Sequence, residues 1–412
     1  MASNSPLLLL PLPFLLSAAL YFPAASGRGF CINYGRIADN LPPPEQVAGL
    51  VKSIHAARIR LYDADPRVLR AFAGTGVEVT VGLGNEHLAS MRDPSAALAW
   101  VRSNVSCYLP ATKITSINVG NEVLTANGTA APAASPDDLL AAVENIHTAL
   151  TTLGLDRRVS VTTAHNLGIL DASYPPSSGK FRDDLEPVLR RLLDFHCTSG
   201  SPFMINAYPY FAYRDNPGHV SLKFALFEGD GIVDPITDLK YENMFEAQID
   251  AAHAAMEKLG YRNVCLQVSE TGWPSRGDGG EAGATPENAK AYNKNLLRRI
   301  NQNGGTPMRP DMDLNVYFFA LFNENQKPGP ASEKNFGLFN PDMTPVYDLG
   351  FNSKGSGGTT PSGSPVVVMS PPDGGYMVDG AEGHRLTREG ALLSVSCLVV
   401  SLIFLRYNSG FF

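Results

Sequence analysis

Eight short runs rich in β-branched and aromatic residues, separated by stretches of helical periodicity, constrain this chain most. The runs are Phe30–Tyr34, Ala57–Tyr62, Glu78–Leu83, Ser116–Val119, Val159–Thr163, Phe203–Ala207, Val264–Ser269 and Leu314–Leu321. Most are near-continuous apolar runs rather than strict alternations, the pattern of strands buried on both faces of a parallel sheet. The helical stretches carry start and stop signals. Glu45–His55 follows a proline run, and Leu139–Leu153 follows Ser135-Pro136-Asp137-Asp138. Phe245–Leu259 ends at Gly260, and Glu287–Gln302 follows Thr285-Pro286. Asp65-Pro66 reads as another helix start. Eight β units alternating with helices predict an α/β fold, a single (β/α)₈ TIM barrel over residues 29–351. The alternative, a doubly wound open sheet, calls for a Gly-rich turn after the first strand. None is present: Gly82-Leu83-Gly84 lacks its third glycine, because position 87 is His.

The two ends read as addresses. Residues 7–22 are almost wholly apolar and are followed by Ala24, Ala25, Ser26 and Gly27, which predicts a secretory signal peptide over 1–26. The run is shorter than the ~20 residues of a membrane span and is broken by prolines, which favours cleavage over anchoring. Residues 1–6 depart from the usual pattern in having no Lys or Arg. Ala391–Leu405 is fifteen residues without a charge, preceded by a polar spacer and by Asp379, Gly380 and Ala381. Small residues, polar spacer and terminal apolar tail predict a GPI-attachment signal. Asp379 is the expected attachment residue, with Asp373 and Ser370 as alternatives, and 380–412 is the segment removed. A single membrane-spanning helix is the competing reading. Between barrel and signal, 17 of the 24 residues from Ser353 to Tyr376 are Gly, Pro, Ser or Thr, so 352–379 is expected to be a flexible stalk. The expected location is the extracellular face of the plasma membrane and the cell wall. Secretion makes Asn104-Val105-Ser106 and Asn127-Gly128-Thr129 N-glycosylation candidates. It also raises the question of pairing among Cys31, Cys107, Cys197 and Cys265. Four cysteines allow three pairings, and buried free thiols at Cys31 and Cys265 fit the strand-like runs around them equally well.

With 33 basic against 40 acidic residues, the chain is a poor candidate for binding a phosphate backbone, so no nucleic-acid partner is expected. The eight histidines make no local ligand spacing, and there is no zinc-protease, nucleophile-elbow or phosphate-loop motif. No metal or cofactor is expected, and His165 and His196 read as structural.

In a TIM barrel the chemistry sits at the C-terminal ends of the strands. Those ends carry Asn33-Tyr34-Gly35, Tyr62-Asp63, Gly120-Asn121-Glu122, Asn206-Ala207-Tyr208-Pro209-Tyr210, Glu270-Thr271-Gly272-Trp273-Pro274 and Phe322-Asn323-Glu324-Asn325, with Lys327 just beyond. Aromatic faces, amides and carboxylates suit a sugar. Two carboxylates stand out, because Glu122 and Glu270 each close an otherwise uncharged strand. An ionisable group there is costly unless the strand exits into a site. Strands four and seven stand across the barrel from each other, so the pair can bracket one bond, as glycoside hydrolysis requires. Tyr34, Asn121, Tyr208, Trp273 and Phe322 are the candidates for substrate binding, the aromatics as sugar platforms.

These residues resemble those of the plant β-1,3-glucanases of glycoside hydrolase family 17. The resemblance rests on Ile32-Asn33-Tyr34-Gly35, Arg60-Leu61-Tyr62-Asp63, Val119-Gly120-Asn121-Glu122, Asn206–Phe211, Ser269–Ser275, Phe322–Lys327 and Gly337-Leu338-Phe339. It implies endo-hydrolysis of (1→3)-β-D-glucan, callose-like wall polymers included, with retention of configuration. By the family pattern Glu122 is the proton donor and Glu270 the nucleophile, with Glu324, Lys327 and Glu333 an auxiliary polar cluster. The ends are similar to those of a GPI-anchored subgroup. Other readings of the same pair are a β-1,3-glucanosyl transferase, a mixed-linkage glucanase, and a non-catalytic glucan-binding protein of the cell surface.

Overall fold

The computed structural model describes residues 30–125, 134–302 and 304–351. The signal peptide, stalk and anchor signal expected from the sequence, and the sequon at Asn127, lie outside these residues.

The eight expected runs form one closed parallel barrel. Its strands are β1 (Cys31–Asn33), β2 (Arg58–Arg60), β3 (Glu78–Leu83), β4 (Lys113–Asn121), β5 (Ser160–Asn166), β6 (Phe203–Asn206), β7 (Leu266–Thr271) and β8 (Val316–Phe318). Each pairs with its neighbours in chain order. The ring closes where Cys31 of β1 meets Tyr317 of β8.

The outer layer follows from the capping chemistry. Helix α1 (Pro44–Ser53) stops two residues short of expectation, because His55 takes a positive φ of 56°. Asp65 caps α2 (Pro66–Ala71) by accepting from the Arg67 amide. Helix α3 (Pro94–Asn104) is capped by Asp93. Ser135 and Asp138 close a capping box on α4 (Pro136–Thr152). Then come α5 (Glu186–Ser199), α6 (Pro209–Asp215) and α7 (Leu222–Ala225). Asn243 caps α8 (Met244–Lys258), and Thr285 caps α9 (Pro286–Asn301). Two short hairpins outside the barrel, 170–181 and 232–241, were not anticipated; their strands are only two or three residues long.

The strands are buried on both faces, but the faces differ in kind. Ile59, Leu61, Val79, Val81 and Leu83 join the main core. Arg58, Arg60 and Thr80 alternate with them and are also buried. A separate small apolar cluster of Cys31, Ala164, Met204 and Tyr317 accompanies this polar lining, and Thr80 Oγ1 lies 3.3 Å from the Tyr317 hydroxyl. Buried charges there are paired, as burial demands: Arg58 with Glu78 at 2.8 Å and Arg60 with Glu270 at 2.6 Å. Cys31, Cys107, Cys197 and Cys265 are all unbridged. The polar lumen leads upward into the mouth formed by the strand ends.

Candidate active site

Strand β4 ends in a sharp turn. Gly120 has φ 67° and Glu122 has φ 54°, while Asn121 pairs with Ala164 of β5 after a register shift. A left-handed glutamate is uncommon and costs energy, so it persists only where neighbours over-determine it. Here the Glu122 amide donates to the Ala164 carbonyl at 2.8 Å. Its carboxyl accepts from Asn206 Nδ2 at 2.6 Å and from Asn166 Nδ2 at 3.1 Å. Glu122 is 8% exposed. Burial pushes its pKa up to about 7, and the charge of Glu270 adds to the rise, against the two amide hydrogen bonds.

Glu270 stands at the end of β7, beside a register shift against β6. It is equally buried but differently served. Oε1 accepts from Arg60 Nη1 at 2.6 Å and from the Tyr62 hydroxyl at 2.8 Å, and Oε2 accepts from the Tyr208 hydroxyl at 2.9 Å. The Arg60 guanidinium lies 4.7 Å over the Tyr62 ring. Burial and then the Glu270 charge push the Tyr62 and Tyr208 hydroxyls well above their ordinary range, so both stay protonated donors. One carboxyl is therefore set in an uncharged amide pocket, and the other on a cation and two phenols. The two are linked. Arg60 Nη2 donates to Asn121 Oδ1 at 2.8 Å, and Ser269 Oγ donates at 2.6 Å to Asn206, which holds Glu122.

Glu324, Lys327 and Glu333 come together as the auxiliary cluster. Lys327 Nζ is 3.3 Å from Glu333 Oε2 and 4.0 Å from the centre of the Phe319 ring. Glu324 accepts from the Ile37 amide at 2.6 Å, and burial raises its pKa, with Lys327 opposing. Lys327 thus acts on Glu324 and Glu333, while the ion pair to Glu270 is made by Arg60.

Three of the four aromatic platforms expected from the sequence are corrected. Tyr34, Trp273 and Phe322 are 2%, 0% and 2% exposed. Trp273 donates from Nε1 to the Gly283 carbonyl and packs against Tyr210, Tyr213 and Tyr292. Tyr34 sits edge-on to Phe322. These three rings are packing at the barrel mouth and have no face free for a sugar. Tyr208 is half-buried beside Phe211, Phe319 and Phe336, and its hydroxyl donates to Glu270. Asn121 reaches the site through its side-chain oxygen. His165, stacked on Phe203, and His196, bonded to Ser201, are buried away from the pair, and burial pushes both down to about 3. Among the described residues, no His, Cys, Asp and Glu side chains gather in a group that could hold a metal.

Arg60, Tyr62 and Asn206, which the sequence placed in its motifs without a role, and Asn166, which it did not single out, complete the site. The available signal was Arg58-Ile59-Arg60-Leu61-Tyr62, a polar residue at every second position of a strand that reads as buried. A cavity of about 520 Å³ opens among the loops after β1, β2 and β3, lined by Arg36, Asp63, Asp65, Trp100 and Asn104 among others, and neither glutamate lines it.

The family model described as glycosyl hydrolases family 17 matches residues 30–351, nearly the whole described barrel. The chain belongs to glycosyl hydrolase family 17. Within that family it is 47% identical to an Arabidopsis thaliana protein named glucan endo-1,3-beta-glucosidase 11, over 96% of this chain and 97% of the relative. It is 55% identical to the Arabidopsis glucan endo-1,3-beta-glucosidase 10, over 79% and 78% of the two chains. Among solved structures, CJP38, a beta-1,3-glucanase and allergen of Cryptomeria japonica pollen, superposes with a TM-score of 0.74 at 41% identity, covering 78% of this chain and 99% of its own. The family-17 barrel therefore positions Glu122 and Glu270 on a scaffold shared with these relatives.

Proposed function

We propose that this family-17 chain hydrolyses internal (1→3)-β-D-glucosidic linkages with retention, Glu122 acting as proton donor and Glu270 as nucleophile. The observation that carries the reading is the contrast between the two carboxyls. Glu122 is buried among amides and keeps its proton to about pH 7, while Glu270 is paired with Arg60. In the first step the Glu122 hydroxyl gives its proton to the glycosidic oxygen as Glu270 attacks the anomeric carbon. The leaving chain departs with a new hydroxyl, and a glycosyl ester forms on Glu270. In the second step Glu122, now a carboxylate, takes a proton from water, whose oxygen displaces Glu270. The names of the relatives support a β-1,3-glucan, callose-like wall polymers included, as the substrate. Glu324, Lys327 and Glu333 flank the pair as a buried polar cluster that shapes its electrostatics.

The test uses laminarin, with Glu122→Gln and Glu270→Gln beside the wild type. Short oligosaccharides from the wild type and a collapse of rate in both variants are expected. Products longer than the substrate would instead mean glucanosyl transfer. Binding without product would mean a glucan-binding role.

The same reading extends to where the enzyme works. The apolar leader, the Gly/Pro/Ser-rich 352–379 and the small-residue signal ahead of Ala391–Leu405 support secretion and a GPI lipid at Asp379 in the outer membrane leaflet, facing the wall. No helix among the described residues is long and apolar enough to cross a membrane. Release of activity from membranes by phosphatidylinositol-specific phospholipase C is the expected result, and retention after treatment would contradict it. Asn104, at the end of α3 on the rim of the 520 Å³ cavity, is the proposed glycan site among the described residues, and Asn127 is the second one proposed from its sequon. A mass loss on treatment with peptide N-glycosidase F checks both.

A further inference from the structure

The hydrogen bonds of strand β4 reveal a residue outside the catalytic pair that fixes its geometry. The β3–β4 ladder makes its last pairing at Leu83 and Val119. Strand β3 then leaves into a short turn, Asn85–His87, while β4 runs on to Asn121. Over that unpaired end the Asn85 side chain replaces the missing strand. Asn85 Nδ2 donates to the Asn121 carbonyl at 2.9 Å, and the Asn121 amide donates to Asn85 Oδ1 at 2.7 Å. A side-chain amide satisfying both backbone groups of one residue locks that residue's peptide planes. Asn121 lies between the two left-handed residues, Gly120 and Glu122. A Cβ at Gly120 would come within 2.8 Å of Val123 Cγ2 and 3.2 Å of Asn85 Oδ1, so this turn tolerates little displacement.

We propose that Asn85 is a positioning residue of the hydrolase. Its amide clamps the Asn121 backbone, which holds Glu122 in the turn that aims its carboxyl at the site, and holds the Asn121 side chain under Arg60. The proposal rests on the assignment of Glu122 as proton donor. It adds that the donor's placement depends on a side chain from the turn after the neighbouring strand, bonded to the Asn121 backbone rather than to either glutamate. The charged groups acting on Glu122 are Glu270 on β7 and Glu333 on the turn after β8, with Arg60 of β2 one residue away on Asn121 Oδ1. Strands β5 and β6 contribute the neutral amides of Asn166 and Asn206. Releasing the clamp lets Glu122 move toward water and away from Glu270, so its proton becomes easier to remove.

The experiment compares Asn85→Ala and Asn85→Asp with the full-length wild type, monitoring folding by thermal melting. Asn85→Ala should lower kcat on laminarin about 10–100-fold with a much smaller change in KM, as expected when a reacting group is misplaced. Its loss of activity at high pH should begin at lower pH than in the wild type. Asn85→Asp keeps the acceptor for the Asn121 amide and should retain fold with a smaller kcat loss. Wild-type kcat in either folded variant would overturn the proposal. So would a loss in Asn85→Ala that tracks the melting temperature alone and leaves the pH profile unmoved. Direct titration of the Glu122 carboxyl, by carbon NMR with Glu122→Gln as the assignment control, separates this idea from the hydrolase reading. A wild type that leaves laminarin uncut would sink the reading, while an unmoved Glu122 titration in Asn85→Ala would still sink the clamp.

Discussion

Arg60 reaches Glu270 from five strands away along the chain, with Nη1 2.6 Å from Oε1 and the guanidinium wholly excluded from water. An ion pair this deep is costly to assemble and more costly to break. Arg60→Ala strands a carboxylate in the core and should destabilise the protein by about 3–5 kcal/mol, read as a lower melting temperature. Arg60→Lys keeps the charge but loses the bond to either Glu270 or Asn121. It should stay folded, with kcat reduced, because one ammonium cannot hold the Glu270 carboxyl and the Asn121 side chain at once. A wild-type kcat in Arg60→Lys would remove Arg60 from the nucleophile's support.

Glu122 sets the basic limb. Its pKa rises from the ordinary 4.5 to about 7 on folding, through burial first and the Glu270 charge second. Activity that needs the protonated form should fall as pH rises through about 7. The stability consequence has the same sign: the folded state holds a proton that the unfolded state releases between pH 4.5 and 7, so stability from this group is lost over that window as pH rises. Glu122→Gln should therefore melt higher than the wild type at pH 8 and no higher at pH 4. Equal differences at both pH values would contradict a buried, protonated Glu122.

Tyr62 and Tyr208 each give Glu270 a hydrogen bond, and neither carries the fold alone. Tyr62→Phe and Tyr208→Phe should each lower kcat by about tenfold, the worth of one hydrogen bond to a charged group. Unchanged kcat in both would mean the phenols are packing only.

Trp273 separates packing from binding. It is fully buried against three tyrosines. Trp273→Ala should cost about 3–5 kcal/mol of stability. Trp273→Phe should keep KM for laminarin within about twofold of wild type, since no sugar rests on the ring. A tenfold rise in KM at intact stability would restore Trp273 as a platform.

The contrast between Trp273 and Glu270, three residues apart, shows what a sequence can disclose. A glutamate closing an apolar strand has few cheap explanations, because burying its charge is expensive; Glu122 and Glu270 were legible for that reason. An aromatic ring at the same place has two good explanations, and nothing local to Trp273 tells a stacking face from a packed one. That was decided by Tyr292 and Gly283, which other elements bring in. The barrel itself was readable because Val- and Ile-rich runs and helix caps such as Ser135 and Thr285 are local signals. Arg60 was not, because its partner lies 210 positions away and only the closed ring brings the two together. Asn85 is the extreme case: an asparagine after a strand reads as a turn, and its bonds to Asn121 exist only once β4 outruns β3.

The most direct test of the central claim is to trap the nucleophile. Incubation with a 2-deoxy-2-fluoro-β-laminaribiosyl fluoride, followed by proteolysis and mass spectrometry, should find one disaccharide ester on the peptide carrying Glu270, absent from Glu270→Gln. Active enzyme that forms no ester and releases the α-anomer first would contradict the account, because water rather than Glu270 would then be the attacking group.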